Sequence, residues 1–361
     1  MQARKHFIKF CLLILFILFV NVCYRYYRSY EPLQKYTNEL FLMKYFIKDY
    51  KFTSLVNAVP FTCGNQVTLV LVVLCETSNY EQRKTIRNTW GQWLNSKYSI
   101  NLPRSINSID YYSNRTKLVF VMGAKSINLK SVQQDLDFIQ NETHFNDIMY
   151  FPGLLDTYMN LTLKTLTGLN VARQKCTKAT FFLKADTDVF VNVPRLLGLC
   201  HQHLAQSKKK AIIVGNEQFN APVIRDKNAK WYVPYEVYSK NYFPPYVTGC
   251  GYLLNSKAID SIVVTASKVK RLFYWEDVAV TGMYSTNVEL IDNKLFRYEE
   301  YMNTIDSCNM RIIILAHRIT PSKMISLWNE ITSNTTICSF SPNLSSSIKR
   351  FEYVIKSMIF G

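Results

Sequence analysis

The sequence predicts an α/β fold, a three-layer sandwich preceded by a single N-terminal transmembrane helix. The run Val67 to Cys75 reads VTLVLVVLC, apolar throughout and rich in β-branched residues. That is the mark of a strand buried on both faces of a parallel sheet. Strand-like and helix-like stretches then alternate as far as Gly215, the rhythm of helices covering a central sheet. At the amino end, Arg4, Lys5, His6 and Lys9 precede an apolar run from Phe10 to Val20 that extends to Tyr24. Its length meets the lower limit for crossing a bilayer.

That run reads as an uncleaved signal anchor rather than a signal peptide. Val20 and Val22 offer no small-residue cleavage site, and Tyr24, Tyr26 and Tyr27 suit an interfacial aromatic belt. The expected division is a cytosolic tail over 1–6, an anchor over 7–24, a stem over 25–62 and a luminal body over 63–361. The stem is rich in Tyr, Phe and Lys and lacks Gly, unlike a flexible linker. Acceptor patterns for N-glycosylation at Asn114, Asn141, Asn160, Asn334 and Asn343 favour a luminal body. So do seven cysteines beyond the anchor, none in metal-binding spacing. Their pairing stays open, and an odd number leaves at least one without an intramolecular partner.

Taken in order, Ser78 stands three residues before Glu81, the spacing of a capping box, and opens a helix over YEQRKTIRNTWGQW. Ile86 and Trp90 share one face of it, Arg83 and Arg87 another. Lys117–Met122 is the second strand, ending at Gly123. A helix over Ser131–Glu142 follows, then a short strand over Asp147–Phe151 and a long helix over Asp156–Lys175. Phe181 starts the next strand, Pro194 opens a helix, and Ala211–Gly215 is another strand. The aromatic, proline-containing stretch Trp231–Leu254 breaks the rhythm and reads as a binding region. Met310–Leu315 is expected as a late strand ending at Ala316 and His317, and Thr320–Ile331 as the closing amphipathic helix.

The net charge of +17 raises the question of nucleic acid. The basic residues are scattered, with no basic block or zinc spacing, so a nucleic-acid partner is excluded. A basic surface facing anionic membrane or a nucleotide-phosphate substrate fits better.

The chemistry centres on Phe181–Asn192, FFLKADTDVFVN. Asp186 and Asp188, pinned between apolar runs, cannot both be buried bare. A divalent cation resolves the conflict, and oxygen ligands suit Mg²⁺ or Mn²⁺ completed by a substrate diphosphate. The plain alternative is a surface turn. Glu276 and Asp277 read either as a catalytic pair or as acidic residues favoured at a helix N-terminus. His317, ending an apolar run, is either a satisfied core histidine or a metal ligand.

Seven blocks then match one family in order. They are Arg83-x-x-Ile86-Arg87-x-Thr89-Trp90-Gly91, Phe120-x-x-Gly123, Asp156-x-Tyr158-x-Asn160-Leu161-Thr162, and Lys184-x-Asp186-x-Asp188-Val189-Phe190-Val191-Asn192. Tyr246-Val247-x-Gly249-x-Gly251-Tyr252, Glu276-Asp277-Val278 and His317-Arg318-x-x-Pro321 complete the set. Together they resemble the β-1,3-galactosyltransferase type of glycosyltransferase family 31. The resemblance implies a GT-A-like nucleotide-binding sandwich, a UDP-sugar donor, Mn²⁺ (with Mg²⁺ as the alternative) and inversion at the sugar C1. It implies Asp277 as general base and Glu276 as an acceptor contact. Asp188 and His317 become metal ligands, with Asp186 holding the metal or the donor. From the residues themselves, Arg83 and Arg87 either reach the donor phosphates or, as such arginines more often do, pair with acidic neighbours or snorkel. Trp275, Tyr246 and Tyr252 either stack on sugar rings or pack in the core. One departure stands out: the family carries three consecutive Asp, and Thr187 takes the middle place here. The implied reaction is β-1,3 transfer of galactose to a glycan acceptor on a glycoprotein or glycolipid, by a single-pass type II protein of the Golgi membrane. The alternatives are N-acetylglucosamine transfer and a catalytically silent chaperone or partner subunit.

Overall fold

A computed structural model of the chain describes residues 46–47, 57–59, 61–94, 115–298, 305–333 and 338. The expected anchor over 7–24 lies outside them. No described helix is long and apolar enough to cross a membrane.

The first half alternates strand and helix as expected: β1 (Leu69–Leu74), α1 (Tyr80–Asn88), β2 (Thr116–Ala124), α2 (Leu129–Gln140), β3 (Ile148–Leu155), α3 (Leu161–Lys175), β4 (Phe181–Asp186). After β4 come β5 (Phe190–Val191), α4 (Val193–Ser207), β6 (Ile212–Gly215), β7 (Glu217–Gln218), β8 (Tyr246–Val247), β9 (Gly251–Asn255) and α5 (Ser256–Lys268). A π-helical turn (Val278–Met283), β10 (Glu289–Asp292), β11 (Phe296–Arg297), β12 (Leu315–Ala316) and α6 (Pro321–Thr332) close the described chain.

Seven strands make the main sheet in the order β10-β6-β9-β4-β1-β2-β3. All pairs are parallel except those of β9, which runs antiparallel between β4 and β6. Every residue of β1 is buried, because the sheet is covered on both sides. Leu69, Leu71 and Val73 face the layer holding α1, α2, α4 and α6; Val70, Val72 and Leu74 face α3 and α5. Each such side chain contributes about 1.5–3 kcal/mol over leaving it in water. The predicted three-layer sandwich is therefore the observed mixed α/β architecture.

Two features place the site. The antiparallel pairing sets Gly251 beside Ala185, so the loop before β9 runs alongside the end of β4, and the amide of Asp186 donates to the Cys250 carbonyl at 3.2 Å. A side sheet in the order β11-β12-β5 pairs Ala316 with Phe190, which brings His317 back beside Asp188.

Local expectations fail in three places. Ser78 caps no helix: α1 starts at Tyr80 after Asn79, and the Ser78 hydroxyl donates to Glu76 instead. A turn of 3-10 helix, Tyr158–Asn160, precedes α3, so the long helix starts later than Asp156. Met310–Leu315 is not a strand. Met310 ends a one-turn helix capped by Asp306, and only Leu315–Ala316 pairs in a sheet. Pro194 does open α4, with Asn192 accepting from the Arg195 amide. Cys63–Cys176 and Cys308–Cys338 form disulfides, while Cys75, Cys200 and Cys250 are buried and unbridged.

Candidate active site

At the carboxyl end of β4 the chain turns through Thr187, and Asp186, Asp188 and His317 converge. One ligand atom from each lies within 4.8 Å of the others. His317 Nε2 is 3.4 Å from Asp188 Oδ2, and its Nδ1 is 3.4 Å from the Tyr298 carbonyl oxygen. The next residue, Arg318, adopts a left-handed φ of 59°. That conformation costs a non-glycine residue about 1–2 kcal/mol. It turns the chain so that the Ile319 amide donates to the Asp188 carbonyl at 2.8 Å. Burial disfavours charge on both Asp188 and His317, but their mutual bond outweighs it, lowering the pKa of the acid and raising that of the imidazole.

Two carboxylates and one imidazole nitrogen form a donor set that suits Mn²⁺. The side chains of Asp186 and Asp188 remain 33% and 49% exposed, so a cation held here could complete its shell with water and substrate oxygens. The residues fit the implied metal.

A second wall, adjoining the end of β4, comes from the loop before β9 and from Trp275–Asp277. Asp277 caps the π-helical turn: Oδ1 accepts from the Val278 amide at 2.9 Å and Oδ2 from the Gly249 amide at 3.2 Å. A Cβ at Gly249 would sit 3.1 Å from Glu276 Oε2 and 3.2 Å from Asp277 Cβ, so any other residue would push both acids by a few tenths of an ångström. Glu276 Oε1 accepts from the Tyr252 hydroxyl at 2.5 Å, and Oε2 lies 3.5 Å from Lys184 Nζ. Lys184 also bonds Asp186 Oδ1 at 2.8 Å and the Gly249 carbonyl. Burial pushes Glu276 up to about 7 against the pull of Lys184, and it raises Asp277 above its ordinary 3.8. Lys184 is buried too, yet the charges of Asp186 and Glu276 more than offset that and raise its pKa.

One cleft of about 1010 Å³ joins the two walls. Asp186, Asp188, His317, Glu276, Asp277, Trp275 and Tyr246 all line it. Tyr252 does not: it is 0% exposed and buttresses Glu276 from behind, so it cannot stack on a sugar. Arg83 and Arg87 also miss the cleft. Arg83 is 0% exposed and clamped on Glu142, while Arg87 bridges Glu142 and Asp147, so neither faces a donor phosphate. The sequence reading gave no individual role to Lys184, Tyr158 or Lys230, although Trp231 opens the stretch read as a binding region. A lysine following the apolar Phe181–Leu183 was the available signal for the first, because buried lysines are almost always paired. Tyr158 and Lys230 come from separated segments, and no local pattern marks their meeting.

Residues 81–294, more than half of the 361, match the galactosyltransferase family. The chain belongs to that family. Galactosyltransferase relatives agree over most of the length. Beta-1,3-galactosyltransferase 1 of Homo sapiens is 26% identical over 290 residues, covering 80% of this chain and 81% of that protein. N-acetyllactosaminide beta-1,3-N-acetylglucosaminyltransferase 4 of Mus musculus is 26% identical over 287 residues, covering 77% and 74%. Likeness to solved structures is slight. Galactosyltransferase LgtC with donor and acceptor sugar analogues gives a TM-score of 0.37 at 11% identity, covering 75% of this chain and 98% of that one, so the fold rests on the strand order itself. As a galactosyltransferase-family member, the chain is a hexosyltransferase of glycosyltransferase family 31.

Proposed function

We propose that the protein transfers galactose from UDP-galactose in β-1,3 linkage to a glycan acceptor on glycoprotein or glycolipid, with inversion, as a single-pass type II protein of the Golgi membrane. The supporting observation is that an acid suited to general-base work and a group of metal-ligand type line one cleft. Inversion needs a base and a site for the leaving diphosphate in one cleft, because the acceptor hydroxyl attacks C1 as the diphosphate departs.

Asp186, Asp188 and His317 would hold Mn²⁺ or Mg²⁺, which when bound neutralises charge on the departing UDP. Asp277, fixed by two backbone amides, takes the proton from the attacking hydroxyl. Each of its oxygens keeps a lone pair for that hydroxyl. Trp275 and Tyr246 line the cleft as aromatic surface for the sugars. Glu276 has both oxygens engaged inside the wall, so it shapes the acceptor side through Tyr252 and Lys184. N-acetylglucosamine is the competing donor sugar, because relatives of both names match at equal identity.

The deciding test is a screen of the full-length chain in detergent, with UDP-galactose and UDP-N-acetylglucosamine against a panel of acceptor glycosides, with and without Mn²⁺. Transfer from UDP-galactose that requires Mn²⁺ is expected. Transfer confined to UDP-N-acetylglucosamine would reassign the donor. In the same assay, Asp188→Ala is expected to raise the Mn²⁺ concentration for half-activity at least about tenfold, since a ligand of the set is lost. An unchanged Mn²⁺ dependence would remove Asp188 from the metal site.

The base role also fixes a pH dependence. Asp277 works only when ionised, and burial raises its pKa, so kcat/KM should fall on acidification along a limb lying above the ordinary 3.8. A flat profile down to that pH would contradict the assignment.

A further inference from the structure

We propose that Lys184 is a positioning residue that couples the donor half of the site to the acceptor half, holding both at a fixed separation through one buried ammonium. This rests on the reading of Asp186 as a donor-side ligand and Asp277 as the base.

Lys184 lies in β4, the centre of the sheet, between Val72 of β1 and Tyr252 of β9. Its side chain is 1% exposed. It stands two residues before Asp186 on the same face of the strand, directly beneath that carboxylate. An ammonium has three N–H donors, and this one faces three partners from three separate segments: Asp186 Oδ1 at 2.8 Å, the Gly249 carbonyl, and Glu276 Oε2 at 3.5 Å.

Packing alone does not call for this. The flanking residues of β4 are apolar and buried, and a leucine or methionine would fill the position without the cost of burying a charge. What the ammonium adds is geometry. Gly249, whose carbonyl Lys184 holds, donates its own amide to Asp277 Oδ2 at 3.2 Å. The line Asp186–Lys184–Gly249–Asp277 therefore runs along the cleft lining from the metal-ligand group to the base. Glu276 hangs from the same nitrogen, and Tyr252 fixes its other oxygen. Without the cation, Asp186 and Glu276 would be two neighbouring acids with no counter-charge between them, and their repulsion would displace both. A misplacement on the order of 1 Å at reacting groups costs about 10²-fold in rate.

The test is Lys184→Met in the full-length chain, assayed with UDP-galactose and the best acceptor of the panel, beside wild type and Asp277→Asn. The expected result is a folded protein with a lowered melting temperature, because buried Glu276 loses its counter-charge, and with kcat lowered about 10²-fold. Both the Mn²⁺ half-saturation and the acceptor KM should shift, because both walls move. A folded Lys184→Met with kcat and both constants within about threefold of wild type overturns the proposal, and so does a shift confined to one of the two constants. Should Lys184→Met not fold, Lys184→Met/Glu276→Gln removes the cation together with one partner charge and is compared with Glu276→Gln alone. A further loss of about tenfold or more in kcat with a raised Mn²⁺ half-saturation supports the coupling, and equal values overturn it. Asp277→Asn turning over at the wild-type rate would instead defeat the base assignment, whatever Lys184 does.

Discussion

Asp277→Asn is expected to lower kcat about 10²- to 10⁴-fold, the contribution of a positioned general base. The amide matches the carboxylate in shape but cannot take a proton. The substituted side chain still offers one oxygen to an amide donor. Its NH₂ group, however, meets the second of the two backbone donors, Val278 or Gly249, and leaves that one unpaired. An unsatisfied buried donor costs roughly 1–3 kcal/mol, so a modest fall in melting temperature should accompany the kinetic loss. Donor binding should change little, because the proposed diphosphate site is at Asp186, Asp188 and His317 rather than at Asp277. The acid limb of kcat/KM assigned to Asp277 should vanish from the residual activity. Measuring kcat, KM and the melting temperature together separates these effects. A folded variant that keeps most of the wild-type kcat would show that another group takes the proton.

How much of this was legible in the sequence depends on whether the information was local. β1 stands out because a strand buried on both faces needs an unbroken apolar run, and β4 shows the same signature in Phe181–Leu183. Asp186 and Asp188 stand out for the same reason: two acids between such runs demand a partner. Asp277 was not legible from chemistry alone, since acids at a helix start are common; only the order of the family blocks singled it out. The reversed direction of β9 leaves no trace in Gly251–Asn255, yet it places Gly249 between Lys184 and Asp277. Met310–Leu315 misled because its apolar run is core packing around a capped turn rather than a strand. Arg83 and Arg87 took the commoner of their two readings, pairing with acids rather than facing a phosphate. Their spacing shows that they share a helix face, but what that face meets lies more than fifty residues further on, at Glu142 and Asp147.

That pairing carries the second large effect, which falls on stability. Glu142→Gln is expected to destabilise the fold by roughly 3–5 kcal/mol, the consequence of leaving a buried charge without its partner. Arg83 is 0% exposed and grips Glu142 with two bonds, Nε to Oε2 at 3.1 Å and Nη2 to Oε1 at 2.6 Å. Arg87 adds a bond to the same Oε2 at 2.5 Å and is itself held by Asp147 at 2.8 and 2.9 Å. Glutamine keeps the shape but offers one acceptor oxygen, and its NH₂ group points at a guanidinium. Arg83 retains bonds to the carbonyls of Glu76 and Thr77, which satisfy its hydrogens without neutralising its charge. The sign of the pH dependence follows from the same contacts. Burial alone would raise the pKa of Glu142, but the two arginines outweigh it and hold it below its ordinary 4.5. The stability from this group is therefore complete above about 4.5 and is lost as pH falls through the lower, folded-state value. Thermal melts of wild type and Glu142→Gln should differ most at neutral pH and converge in acid. The network lies outside the catalytic cleft, so kcat of the folded variant should stay near wild type. Equal melting temperatures at neutral pH would mean that Arg83 finds its compensation elsewhere.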